Sequence, residues 1–586
     1  MNPAVVFTFS AAWVALPGLP ILLAFLLIMP QLRRVVLWAA PFAAVPALLF
    51  SLTVSPGIVM EVPWLLLGAQ FAFGSLEQWF LLLSAVTWLV AGIYGRGYLT
   101  GRRSTTRFYT WFLLAMSGNF GLILAQDVVS FYFFFALMTY AAFGLVVHDR
   151  TQDSKRAGRV YITLAVLGEM FIFAGFAMMV AAAGGDLLPG EIVDGASPLA
   201  LGLLVLGFSV KAGALPVHVW LPLAHPVAPT PASAVLSASM IKAGLLAWMR
   251  FLPVGGEDVL PLAIWGMSAG VAAAFFAAAV GLTQRNPKVV LAYSSISQMG
   301  LMTVAAGSAF LGPEAAGPAL LAVGLYALHH ALAKSALFLG VGMAESRLET
   351  PRIRTLVLLG LLIPAIALAG APLTSGAVAK GALKAAIANG AAPWVGILEV
   401  LLSLAAVGTT LLLARFLWTL RARVGHREVV PHRRMWSAWG LNLLAVLLFV
   451  WLIPWEGMTD VREGVWKLGL TWTLLWPVLL GLLIAGGVIW FHRSRRVRVP
   501  GGIPAGDILA LVEGVGTWGI LRGLMVAQWL RGHFGRSLSL LTTGADRSRG
   551  WAVRLLESER YLANWNTGGL IFLLLMGIGF LLLLGG

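Results

Sequence analysis

The chain has 586 residues, 59% hydrophobic and only 11% charged, with a mean hydropathy of +0.89; a soluble domain of that balance could not cover its surface with polar groups. Its formal net charge of +16 comes from 40 Lys and Arg against 24 Asp and Glu, and in a membrane chain these are read loop by loop rather than as a nucleic-acid footprint. Having no cysteine excludes disulfides, thiolate-held iron–sulfur clusters and Cys-ligated zinc or haem in this chain, and no cofactor is expected.

Apolar runs of about 20 residues, enough to cross roughly 30 Å of hydrocarbon, recur from end to end and predict an all-α polytopic membrane protein. A β-barrel would instead alternate in segments of about 10 residues. Residues 1–104 read as N-terminal transmembrane helices with no cleavable leader, the first run being interrupted by Pro17 and Pro20. Two sets of five spans follow, 105–252 and 260–420, then further transmembrane helices over 434–491. Residues 492–566 mix apolar residues at helical spacing with arginines and read as a cytoplasmic amphipathic segment, a candidate partner interface. A last span, 567–586, brings the expected total to about 16.

Basic clusters alternate with acidic or neutral loops along the chain. Arg33 and Arg34, then Arg96 to Arg107, Arg150 to Arg159, Arg285 and Lys288, Arg347 to Arg354, Arg421 to Arg434 and Arg493 to Arg498 mark one side. Glu61, Asp127, Asp186 to Asp194, Glu257 with Asp258, Glu314 and Glu456 to Glu463 mark the other. The alternation predicts a multi-pass protein of the cytoplasmic (inner) membrane with its N-terminus outside.

Each five-span set contains one helix broken by proline: "FSVKAGALPVHVW" with Lys211 ahead of Pro216, and "ALAGAPLTSGAVAKGALKAA" with Pro372 ahead of Lys380 and Lys384. Paired broken helices at matching positions indicate inverted repeats. Between Lys211 and Lys242 the prolines Pro226, Pro229 and Pro231 are expected to open the helix to water.

A charge near mid-membrane costs several kcal/mol, so an ionisable residue inside a span is a functional candidate. Lys211, Lys242, Lys334 and Lys380 each lie within an apolar run, and as buried amines in series they could form a proton wire. His218 and His225 flank the first break, and His329 and His330 precede Lys334 by about one turn; imidazole suits relay duty, and the spacing puts His330 on the face of Lys334. The alternative for His225 is a helix-end cap. Glu169 lies well inside a span and is expected to approach Lys211, with Glu399 its counterpart in the second set. Lys384 and Asp127 are further candidates. Neither histidine pair has a carboxylate or third histidine beside it, so no metal site is expected.

The stretches "KAGALPVHVWLPLAHPVAPTPASAVLSASMIKAG", "QRNPKVVLAYSSISQMG", "HHALAKSALFLG" and "AGAPLTSGAVAKGALK" resemble the antiporter-like subunits of respiratory complex I, Mrp-type sodium/proton antiporters and membrane-bound hydrogenases. "AYSSISQMG" and the lack of a long amphipathic beam helix look closer to the D-type Mrp or hydrogenase-like subunits than to the largest complex I subunit. The resemblance implies two inverted five-helix repeats and proton transfer along a polar axis. It places Lys211 as the lysine of the first broken helix, Lys242 as the connecting lysine, Lys334 as the lysine after "HA" and Lys380 as the terminal residue. One departure stands out: where the family has a glutamate paired with the first lysine, this chain reads "FYFFFALMTYAAFG", with Ala136 at that position.

These features lead to the expectation of a proton-translocating subunit, of Mrp type, working with other membrane subunits and moving protons, with Na+ or K+ as candidate counter-ions. The alternatives are an ion-translocating subunit coupled to redox chemistry or inorganic-carbon uptake in a soluble catalytic partner, and a scaffold with an inactive half-channel.

Overall fold

The computed structural model describes residues 3–101, 104–256, 259–388, 394–427, 429–453, 455, 472–495 and 503–510. The chain divides into two units, Met1–Ile508 and Leu509–Gly586. The described helices and the candidate site belong to the first unit; most of the predicted amphipathic segment and the last span lie outside the described residues.

Helices α1 (Pro3–Leu26), α2 (Arg33–Ala39) and α3 (Val45–Thr53) open the chain. A hairpin, β1 (Ile58–Val62) and β2 (Ala69–Phe73), leads into α4 (Ser75–Tyr98), α5 (Thr105–Leu124), α6 (Val128–Val146) and α7 (Gln152–Ala182). After the short α8 (Pro189–Ile192) come α9 (Pro198–Ala212), α10 (Trp220–Val227), α11 (Thr230–Val235) and α12 (Lys242–Phe251). The chain continues through α13 (Leu260–Thr283), α14 (Pro287–Ser308), α15 (Pro313–Glu345) and α16 (Pro351–Ala369). Helices α17 (Ser375–Ala388), α18 (Val395–Arg421), α19 (Arg433–Leu452) and α20 (Trp472–Arg495) complete the described set. Among the described residues, 13 helical segments are long and apolar enough to cross a membrane. Proline in the first turn of α9, α13, α14, α15 and α16, where no N–H partner is needed, and side-chain caps from Ser197, Asn286 and Thr350 set where several of them begin.

Two spans are wholly enclosed by protein: Thr230–Phe251 and Pro287–Ser308 are 100% buried across their apolar windows, whereas Trp472–Phe491 is only 22% buried. Protein therefore covers the spans of α12 and α14 on every side and leaves most of α20 open. In a membrane, polar groups are tolerated only where other helices shield them, and these two central elements are where Lys242, Gln298 and a row of serines occur.

Both predicted helix breaks are present, each ending its first half on a left-handed glycine. Gly213 (φ +66°) caps α9 and Gly370 (φ +85°) caps α16. A side chain would be strained at either φ, and a Cβ on Gly213 would collide with Leu221. Between Lys211 and Lys242 the helix opens twice, at residues 213–216 and, as the prolines imply, at the extended pair Ala228 and Pro229; Pro226 lies within α10 and Pro231 in the first turn of α11. A second irregularity carries no proline at all. Residues Leu236–Met240 form a wide π-type turn just before Lys242, clamped by Ser237 Oγ to Ser295 Oγ (2.8 Å) and Ser239 Oγ to Asn119 Oδ1 (2.5 Å).

The hairpin departs from the purely helical expectation. Its strands pair antiparallel from Ile58 opposite Phe73 to Val62 opposite Ala69. Asp127 fixes it to the bundle: Oδ1 accepts from Ser130 N (2.7 Å), capping α6, and Oδ2 accepts from Gln70 N (2.9 Å) in β2. Both oxygens of this candidate proton carrier are thus engaged by backbone N–H groups. Asp127→Ala is expected to cost about 2 kcal/mol through the lost cap and the buried donors left behind, read as a lower thermal midpoint in detergent.

Candidate functional site

Lys211 emerges from the last turn of α9 into a small pocket lined by Phe135 and Thr139 of α6, Tyr161 and Glu169 of α7, and Trp220 of α10. Its Nζ donates to Tyr161 Oη (3.2 Å) and lies 5.3 Å from the Phe135 ring centroid. Tyr161 in turn donates to Thr139 O (3.1 Å). Glu169 faces the same cavity, buried, with Oε1 making no hydrogen bond. The expected approach of Glu169 to Lys211 takes the form of a shared cavity: among the described residues no ion pair within 4.0 Å joins them. Ala136 sits on α6 three residues before Thr139, so the missing glutamate position adjoins this chamber.

Lys242 follows the wide turn and is fully buried. Its Nζ donates to Ser237 O (3.0 Å), an acceptor within that turn, and lies 2.8 Å from His330 Nδ1 on α15. His330 therefore meets Lys242 across helices rather than serving Lys334 on its own helix, as the sequence spacing implies. Lys334 Nζ points to the enclosed α14 and donates to Leu291 O (2.9 Å). His329 turns the other way, with Nδ1 2.9 Å from Ser375 Oγ, the first residue of α17 beyond the second break.

At that break Lys380 Nζ donates to Ala369 O (2.6 Å), a carbonyl freed by the end of α16. Gly370 lies directly beneath it: a Cβ there would be 2.8 Å from Lys380 Nζ. Lys380 and Lys384 line a second small pocket with Ser403, Thr473 and Pro477, and Lys384 Nζ donates to Ser403 Oγ (3.1 Å). Glu399 is not the deep counterpart of Glu169: it is half-buried in the second turn of α18, one turn before Ser403.

The first break's histidines separate. His225, in the last turn of α10, is buried and stacks on Phe338 at 4.6 Å, and neither ring nitrogen has a hydrogen-bond partner. His218, in a short 3-10 turn, Val217–Val219, has Nε2 3.0 Å from Asp507 Oδ2. Tyr293 of α14 donates to the same oxygen (2.7 Å). Burial works to raise the Asp507 carboxyl, but the hydrogen bonds from His218, Tyr293 and the Ile508 N–H outweigh it and hold the group below the usual carboxylate range.

Asp507 is not among the sequence candidates, since a lone acid in an arginine-rich stretch resembles a solvated face. Nor is Tyr161. Lys288, assigned to a basic loop, is buried in the first turn of α14 and donates to Ala228 O (2.9 Å). A buried pair, Arg250 with Glu77 (2.7 Å), closes the opposite end of α12, where Arg250 also donates to Leu122 O and Ile123 O at the C-terminus of α5. Its sequence signal is an arginine at a helix end near neutral loops, which periodicity alone does not single out.

The chain is similar in sequence and fold to known membrane proteins. Residues 125–406 match the family described as NADH:quinone oxidoreductase/Mrp antiporter, transmembrane. Hydrogenase-4 component B of Escherichia coli is 34% identical over 218 residues, 35% of this chain and 32% of that protein. The putative antiporter subunit mnhA2 of Staphylococcus saprophyticus is 28% identical over 355 residues, 55% of this chain and 44% of that protein. The chain thus spans less than half the length of these curated relatives. Its fold is similar to the solved Mrp complex from a Dietzia species (TM-score 0.68, 23% identity, 89% of this chain and 60% of that one). It is also similar to a membrane-bound sulfane sulfur reductase, an archaeal respiratory membrane complex (TM-score 0.64, 22% identity, 79% and 100%). The antiporter relative is of the mnhA2 kind, where the sequence motifs suggest a D-type subunit. The four buried lysines and both helix breaks lie inside residues 125–406, the part of the chain that is similar to the NADH:quinone oxidoreductase/Mrp antiporter transmembrane family.

Proposed function

We propose that the chain is a proton-translocating, antiporter-like subunit of a multisubunit complex in the cytoplasmic membrane, with the basic loops inside and the N-terminus outside. The observation that carries this reading is how the buried lysines are held. Lys211, Lys242, Lys334 and Lys380 bond only neutral groups (a tyrosine, a histidine and backbone carbonyls), and among the described residues none has a carboxylate within 4.0 Å. A structural lysine in a low-dielectric interior is paired with an acid. One held by neutral acceptors can exist charged or uncharged with little rearrangement, which is what a proton relay requires.

The path runs from the Glu169 and Lys211 cavity, through Lys242 with His330, to Lys334, His329 and Lys380, and ends in the cavity beside Lys384. The two five-helix repeats, 105–252 and 260–420, would each contribute one broken helix to it. Buried atoms without a protein partner, Glu169 Oε1 and the Nε2 atoms of His329 and His330, lie along this path. Leaving such groups dry costs about 1–3 kcal/mol each, so bridging water along the path is favoured. Asp127, engaged as a cap, and Glu399, near the start of α18, are left off the path.

A second reading, an ion-translocating subunit coupled to redox or inorganic-carbon chemistry in a soluble partner, is favoured by the hydrogenase-type relative. Isolation of the complex in mild detergent and mass spectrometry of its partners separates them: antiporter subunits alone support cation/proton exchange, with Na+ or K+ as the counter-ion, and a cofactor-bearing soluble subunit supports coupling. The scaffold reading rests on Ala136, and against it stands Glu169 in the same chamber.

Two variants test the path in proteoliposomes with a pH-sensitive dye. Lys242→Ala should lower proton flux at least about a hundredfold with assembly intact; wild-type flux would exclude the wire. Glu169→Gln should lower flux about tenfold or more, and adding Ala136→Glu, whose side chain starts on the face of Thr139, should restore part of it. Unchanged flux in Glu169→Gln would mean that Glu169 does not stand in for the absent glutamate.

A further inference from the structure

We propose that Asp507, His218 and Tyr293 form a proton port linking the basic-loop side of the protein to the first broken helix, with the Asp507 carboxylate as the group that exchanges protons with solvent. The inference rests on the proton-translocation reading and adds a residue outside the family-matched region, 125–406.

The carboxylate is held by a built site. Gln284 Nε2, at the basic end between α13 and α14, donates to Ile503 O (2.9 Å). The chain then turns at Gly506, where φ is +91° and a Cβ would lie 3.3 Å from Leu223 of α10. That turn delivers Asp507 between two helices: Oδ2 meets His218 Nε2 and the Tyr293 hydroxyl, and Oδ1 accepts from Ile508 N–H. A segment whose sequence suggests a surface helix thus places an acid, 8% exposed, against a histidine that is 0% exposed.

The histidine is arranged to conduct rather than only to bind. His218 sits just after the break, its ring edge-on to Phe276 (centroids 5.5 Å apart), and its Nδ1 has no protein partner. An imidazole with one nitrogen on a carboxylate and the other open can accept a proton at Nε2 from Asp507 and release one from Nδ1 toward the break and Lys211. One proton enters and one leaves, the ring ends neutral in its other tautomer, and Asp507 is recharged from water on the basic-loop side; the reverse sequence serves outward transfer. Tyr293 keeps the carboxylate oriented and can donate to it throughout. The titratable groups facing Asp507 are His218 and Tyr293.

The decisive experiment measures proton flux in proteoliposomes carrying the intact complex. Asp507→Asn keeps the shape and removes the exchangeable acid, and flux should fall at least about tenfold. Asp507→Glu should retain much of the activity. Wild-type flux in Asp507→Asn at normal complex yield would overturn the port and leave the lysine path standing. Absence of flux in the wild-type complex would instead overturn the underlying reading, and the port with it. Should Asp507→Asn fail to assemble, nitrogen-15 NMR of histidine-labelled wild-type complex decides: ring protons of His218 exchanging with water within milliseconds support the port, and protection for hours overturns it.

Discussion

An ammonium group inside a membrane protein must find acceptors within the protein, because neither lipid nor bulk water is at hand. In a regular helix every interior carbonyl is already taken by the backbone, so acceptors for buried lysines are scarce. Here the helix irregularities supply several of them. Lys242 uses Ser237 O in the wide turn, Lys380 uses Ala369 O at the second break, and Lys288 uses Ala228 O in the turn after α10. The breaks and the lysines are therefore one device: the first frees carbonyls and the second requires them.

That device dictates the packing around it. The lysine of the wide turn and the carbonyl that receives Lys334 lie on the two spans enclosed entirely by other helices, which keeps hydrocarbon away from the charge. The serines of α11 to α12 and of α14 clamp the wide turn, and Asn119 joins it to Trp88 of α4 (2.9 Å). Charged pairs that do meet, Arg250 with Glu77 and Arg427 with Glu345 (3.3 Å), sit at helix ends, where they fasten one element to another. Ion pairs thus hold the frame, and neutral contacts hold the lysines.

The position where the resemblance implies a glutamate holds Ala136, one turn of α6 from Thr139, which lines the same chamber as Glu169. Glu169 projects from α7 into the space that Lys211 reaches from α9, with Tyr161 as the direct partner of the ammonium. The carboxylate and the amine share a pocket and not a bond, a looser coupling than a contact pair.

The sequence by itself determined the membrane class, the helical architecture, both broken helices and the four buried lysines, because each follows from local rules: apolar run length, proline and glycine chemistry, and the cost of a charge in hydrocarbon. It could not determine partners. His330 shares a helix face with Lys334 yet binds Lys242; Asp127 resembles a carrier and is a cap; Lys288 resembles a loop charge and is buried; Asp507 resembles a surface acid and reaches His218 across 289 positions of sequence. The wide turn before Lys242 has no proline or glycine to announce it. Spacing constrains only residues within a turn or two of each other, whereas which acceptor a buried polar group finds depends on how whole helices pack, and only the tertiary structure decided that.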